Sequence, residues 1–200
     1  MNANMNVNSK VVKLVQAALL AVVAYIFFVY LKIRIPMGPG TLTIHLGNCF
    51  VTLAALLLGG VYGGLAGAVG LTLADLTGGY ADSAVPTFFL KLGIGLVTAL
   101  VAHTICRMSE GKTPRQIWGI SALASAAGMI FNVIADPLVR YFYKFYFLKL
   151  DQSLADALMA VDITGTAINA VASLIISVVL YNALLPVLKK SGLYVPVGRF

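Results

Sequence analysis

Charge is scarce in this sequence. Of 200 residues only 10% are Asp, Glu, Lys or Arg, where an ordinary soluble domain carries about 25%. Acids are the rarer sign, seven against fourteen Lys and Arg. Together with 60% hydrophobic residues and a mean hydropathy of +0.94, this excludes a disordered chain and a water-soluble globule. Cysteine is also scarce: Cys49 and Cys106 alone cannot build a disulfide scaffold, and neither has CxxC or metal-ligand spacing. Both lie in or at the end of apolar segments and read as small buried hydrophobes. The net charge of +7 does not point to nucleic acid, because the basic residues stand at the ends of apolar runs and form no continuous patch. The composition is that of an integral membrane protein.

Catalytic patterns are missing too. There is no HExxH, no GxSxG, no Walker A loop and no GxGxxG opening a helix after a strand. The two histidines, His45 and His103, fall near opposite ends of the membrane in the topology below, so they share no metal. His103 reads as an inner-interface residue, and His45 either touches a ligand from outside or is structural. Neither a metal nor a cofactor is expected.

What is present is a series of apolar runs. A helix needs about 20 mostly apolar residues to cross a hydrocarbon core. The runs are 11–31, 45–58, 61–76, 86–105, 117–135 and 160–187. They predict an all-α membrane protein, a six-helix bundle forming a single membrane domain over 1–200. The second and third spans are short, partly re-entrant in the alternative reading, and the pair Gly59 and Gly60 makes them a tight hairpin. Asp136-Pro137 is expected to disturb or end the fifth. The link 33–43, with Pro36, Gly38, Pro39 and Gly40, reads as long and irregular, either a cover over a cavity or a connector.

Six spans put both termini on one side. That side holds Lys10, Lys13, Arg107, Lys112, Arg115, Lys189, Lys190 and Arg199 against the acid Glu110. Basic residues near span ends favour the cytoplasm, so both termini are expected inside. The aromatic run 141–147 then lies at the outer interface.

Polar side chains at membrane depth are costly unless they are paired or face a cavity. Asp75 and Lys91 are equidistant from the turn at residue 83, so an antiparallel hairpin places them at similar depth. Such a pair either locks two helices or serves a pocket. Asn132, Asp136 and Arg140 recur at i, i+4 and i+8, and Asp162, Thr166, Asn169, Ser173 and Ser177 at i, i+4, i+7, i+11 and i+15. Each set forms a stripe on one helix face. The two stripes can meet in the outer half, either as helix-to-helix glue or around a small, mostly neutral polar ligand. Small residues also recur, at Ala17 and Ala21 and at Gly59, Gly63 and Gly67. Most of the glycines read as packing inside the bundle, while the alanine face of the first helix is open to an external partner.

Residues 46–105 carry a further signal: a Gly-rich helix hairpin, then Ala74, Asp75, Leu76, Gly79 and Tyr80, then Pro86, Thr87, Phe88 and Lys91. This stretch resembles the substrate-binding (S) components of energy-coupling factor vitamin transporters, most closely the riboflavin-type family. Residues 116–200 match only in general character. The resemblance implies a prokaryotic cytoplasmic-membrane protein that binds one vitamin or precursor at the extracellular side. It also implies a partner complex of a transmembrane coupling subunit and two ATPases. In such proteins the AxxxA face, here Ala17 and Ala21, meets the coupling subunit. The residues expected to bind substrate are Asn132, Asp136, Asn169, Thr166, Asp162, Tyr80, Lys91, Asp75 and His45. Pyridoxine-type vitamin B6 or hydroxymethylpyrimidine is the expected ligand, with riboflavin as the alternative. The competing classes are an intramembrane enzyme using Asp75, Lys91, Asp136 and His45, and a self-sufficient transporter, which the lack of a visible inverted repeat disfavours.

Overall fold

The apolar runs become six α-helices that alternate in direction. The structure, a computed structural model, describes residues 3–198; Arg199, counted in the charge balance above, lies outside them. In chain order the elements are α1 (Ala3–Val29), β1 (Lys32–Met37), β2 (Gly40–His45), α2 (Gly47–Leu58), α3 (Gly60–Gly78), α4 (Ala84–Ala99), α5 (Pro114–Phe142) and α6 (Gln152–Lys190). A 3-10 turn (Ala81–Ser83) leads into α4. One π-helical turn extends α4 over Leu100–Ile105 and another extends α5 over Tyr143–Phe147. Four helical stretches are long and apolar enough to cross a membrane: Ser9–Val29, Ala81–Ile105, Pro114–Phe147 and Gln152–Lys190.

The centre of the bundle is α2, whose twelve residues are all buried. It can be short and almost wholly apolar because α1, α3, α4 and α6 surround it. Glycine makes the approach of α3 possible. A side-chain carbon on Gly63 would run into the backbone of Ala55, and one on Gly70 into the Ala21 carbonyl of α1. The α2–α3 connection is Gly59 alone, at φ +88°, a conformation that favours glycine. At the same end of the bundle, α5 opens with a capping box. The Gln116 N–H donates to Thr113 Oγ1 (3.3 Å), the Thr113 N–H donates to Gln116 Oε1 (2.9 Å), and Pro114 stands in the first turn.

Four expectations are corrected. The link 33–43 is an antiparallel hairpin with Lys32 opposite His45 and Met37 opposite Gly40, so the protein is not purely helical. Its apolar residues alternate, Ile33 and Ile35 against Leu42 and Ile44, around a turn at Gly38-Pro39, where Gly38 has φ +57°. The fifth helix passes through Pro137 to Phe142. The ring removes one backbone donor, while an Asp136–Arg140 ion pair at i, i+4 spans the same turn. The alanine face of α1 is turned inward: Ala17 is buried and the Ala21 carbonyl faces Gly70, leaving Leu14, Leu19 and Val22 exposed. Finally, His103 is buried rather than interfacial, its Nε2 3.2 Å from the Ala55 carbonyl.

Candidate functional site

One end of the bundle holds a cavity of about 310 Å³, walled by β2, all the helices but α1's outer face, and the turn before α4. The hairpin is held over it by specific bonds. Asn169 of α6 donates from Nδ2 to the Thr43 carbonyl (2.9 Å) and accepts at Oδ1 from the His45 N–H (3.0 Å). Leu42 packs where a side chain on Gly165 would otherwise sit. On the far side, Arg34 donates from Nη2 to the Gly78 carbonyl (2.9 Å), placing a cation at the C-terminus of α3. Lys32 and Arg34 stand over the Tyr80 ring at 4.9 and 5.2 Å, and Tyr80 and Thr43 share a hydroxyl–hydroxyl bond of 3.0 Å. Partial burial, with Arg34 adding to it, lowers the Lys32 ammonium below the usual lysine pKa.

His45 ends β2 and starts α2. Its Nδ1 accepts the Gly47 N–H (3.1 Å), satisfying one of the donors that the first turn of a helix leaves open. With Nδ1 accepting, the ring carries its proton on Nε2. The Phe28 ring meets the imidazole edge to face at 4.5 Å.

A network of charges fills the α4–α5 side. Asp136 accepts from Arg140 Nε at 2.9 Å and lies 3.6 Å from Lys91 Nζ. Thr166 of α6 donates to the same carboxylate at 3.3 Å. Lys91 also donates to Asn132 Oδ1 (3.3 Å), and Arg140 Nη2 donates to the Thr87 hydroxyl (2.9 Å). Lys144, in the π-turn after α5, closes on Asp162 of α6 at 2.7 Å. Each charge of this network therefore has a partner, as a low-dielectric site requires.

All nine residues expected to bind substrate line this cavity: His45, Asp75, Tyr80, Lys91, Asn132, Asp136, Asp162, Thr166 and Asn169. The two polar stripes do face each other, and Ser173 and Ser177 lie buried beneath, with Ser177 donating to Ser125 at 3.2 Å. The partner of Lys91 differs from the expected one: it is Asp136, not Asp75. Among the described residues Asp75 Oδ2 has no hydrogen-bond partner, nor have Asn48 Oδ1 and Asn132 Nδ2, all on cavity-wall residues. Asn48, Thr87 and Lys144 also line the cavity and escaped the sequence reading. Asn48 was detectable as a lone carboxamide in the apolar run 45–58, and Thr87 as part of the Pro86-Thr87-Phe88 motif.

Such an arrangement suits binding better than reaction. Lys91 and Arg140 are tied to Asp136 and Lys144 to Asp162, and the groups left without a partner among the described residues are hydrogen-bonding ones suited to a polar ligand. Against known families, residues 8–185 match the family described as ECF-type riboflavin transporter, S component. No curated protein and no solved structure matches the chain.

Proposed function

We infer the particulars of function from one premise: this chain belongs to the ECF-type riboflavin transporter S-component family, so it is a multi-pass membrane protein and a transporter's substrate-binding subunit, not an enzyme. The substrate we propose is pyridoxine-type vitamin B6 or hydroxymethylpyrimidine, bound in the cavity under the β-hairpin. The observation that carries this reading is a cavity of about 310 Å³ lined by Asn48, Asp75 and Asn132, each with a buried hydrogen-bonding atom that has no partner among the described residues. That volume is at the lower end of the range for drug-sized ligands, about 300–1,000 Å³, and suits a single substituted ring. Riboflavin is the second reading, favoured by the family description itself.

The wider arrangement follows from the same premise. All six helices cross the cell membrane as one domain, with both termini cytoplasmic and the cavity opening outward. Alternating helix directions and basic residues in and beside the 106–113 link and in the last turn of α6 support this. Partners are a transmembrane coupling subunit and two ATPases. Equilibrium binding of pyridoxine, hydroxymethylpyrimidine and riboflavin to the purified protein tests the substrate. Tightest binding of either small ring supports the first reading, tightest binding of riboflavin replaces it with the second, and binding of none rejects both.

A further inference from the structure

The cavity has two chemically different sides. Cations and an amide donor stand on α4 and α5: Lys91, Arg140 and Asn132. Because Asn132 Oδ1 takes the Lys91 ammonium, its Nδ2 is left as a donor. Across from them, α2 and α3 bring Asn48 and Asp75, exposed by only 2% and 4%, with Asn48 Oδ1 and Asp75 Oδ2 engaged by no group of the described protein. The Thr87 hydroxyl accepts from Arg140, and the carboxylate of Asp75, unpartnered at Oδ2, can only accept.

We infer that Asp75, assisted by Asn48, is a specificity determinant that selects ligands carrying a hydrogen-bond donor, a hydroxymethyl, hydroxyl or amino group, on the edge facing α2 and α3. The opposite edge of the ligand presents an acceptor to Asn132. This rests on the substrate-binding reading above and deepens it. A ligand lacking the donor leaves a buried carboxylate oxygen unsatisfied, the situation in which polar sites discriminate best. Asp75→Leu makes a sharp probe. It removes the acceptor and puts no donor in its place, so a ligand hydroxyl on that edge finds no partner in the side chain.

The test measures binding of matched pairs to the purified full chain: pyridoxine against 4-deoxypyridoxine, 4-amino-5-hydroxymethyl-2-methylpyrimidine against its 5-methyl analogue, and riboflavin against lumiflavin. The natural chain is expected to favour the hydroxylated member of the pair it binds by about tenfold or more. In Asp75→Leu and Asn48→Leu that ratio is expected to fall towards one. Asn48→Leu keeps the test alive should Asp75→Leu fail to fold. An unchanged ratio in the folded variants, or no preference in the natural chain, overturns this inference and leaves the transporter reading intact. Binding of no member of any pair instead rejects the substrate reading, and this inference with it.

Discussion

Lys91 of α4 forms its ion pair with Asp136 of α5, at 3.6 Å, and not with Asp75 across its own helical hairpin. The consequence is a division of labour between the two carboxylates. Asp136 balances two buried cations, Lys91 and Arg140, and is structural in the first instance, whereas Asp75 keeps an open oxygen on the cavity wall.

Asp136→Asn is therefore expected to destabilise the protein by about 3–5 kcal/mol, since it strands two buried cations. Lys91→Met leaves Asp136 with Arg140 and is expected to cost less. Thermal unfolding in detergent checks the order; a milder loss for Asp136→Asn than for Lys91→Met contradicts the network.

Asn169→Leu removes both bonds that pin β2 to α6. The expected result is faster proteolytic nicking within residues 32–45 and binding weakened by about 1–3 kcal/mol. Limited proteolysis with mass mapping reads the first and titration the second. An equally resistant hairpin would show that Leu42 packing alone holds it.

Asn132→Leu is expected to weaken ligand binding by about 1–3 kcal/mol, because the ligand's acceptor loses the Nδ2 donor. Unchanged affinity would return Asn132 to a purely structural partnership with Lys91.

Ala17→Trp is expected to overpack the buried face of α1 and to cost about 1–3 kcal/mol, while Val22→Trp, on the exposed face of α1, leaves the unfolding temperature nearly unchanged. Equal behaviour of the two variants would mean that α1 is rotated from the orientation described.

Much of the site was readable in the chain because helices convert spacing into direction. Asn132, Asp136 and Arg140 had to share a face, as did Asp162, Thr166 and Asn169, and both faces do border the cavity. Hairpin symmetry put Lys91 and Asp75 on the wall of one cavity but did not give the partner of Lys91, which depends on how α5 packs behind α4. The turn residues Pro36, Gly38 and Pro39 masked the strand alternation of Ile33, Ile35, Leu42 and Ile44 that makes the cover of the site. Likewise, the spacing of Ala17 and Ala21 marked a close contact without saying with what; Gly70 of α3 supplies the space.

Native mass spectrometry of the purified protein, before and after adding the three candidate vitamins, tests the central claim most directly. One vitamin-sized ligand per chain, lost on Asn132→Leu, is the predicted result. A chain that carries no small molecule and gains none from pyridoxine, hydroxymethylpyrimidine or riboflavin would contradict it.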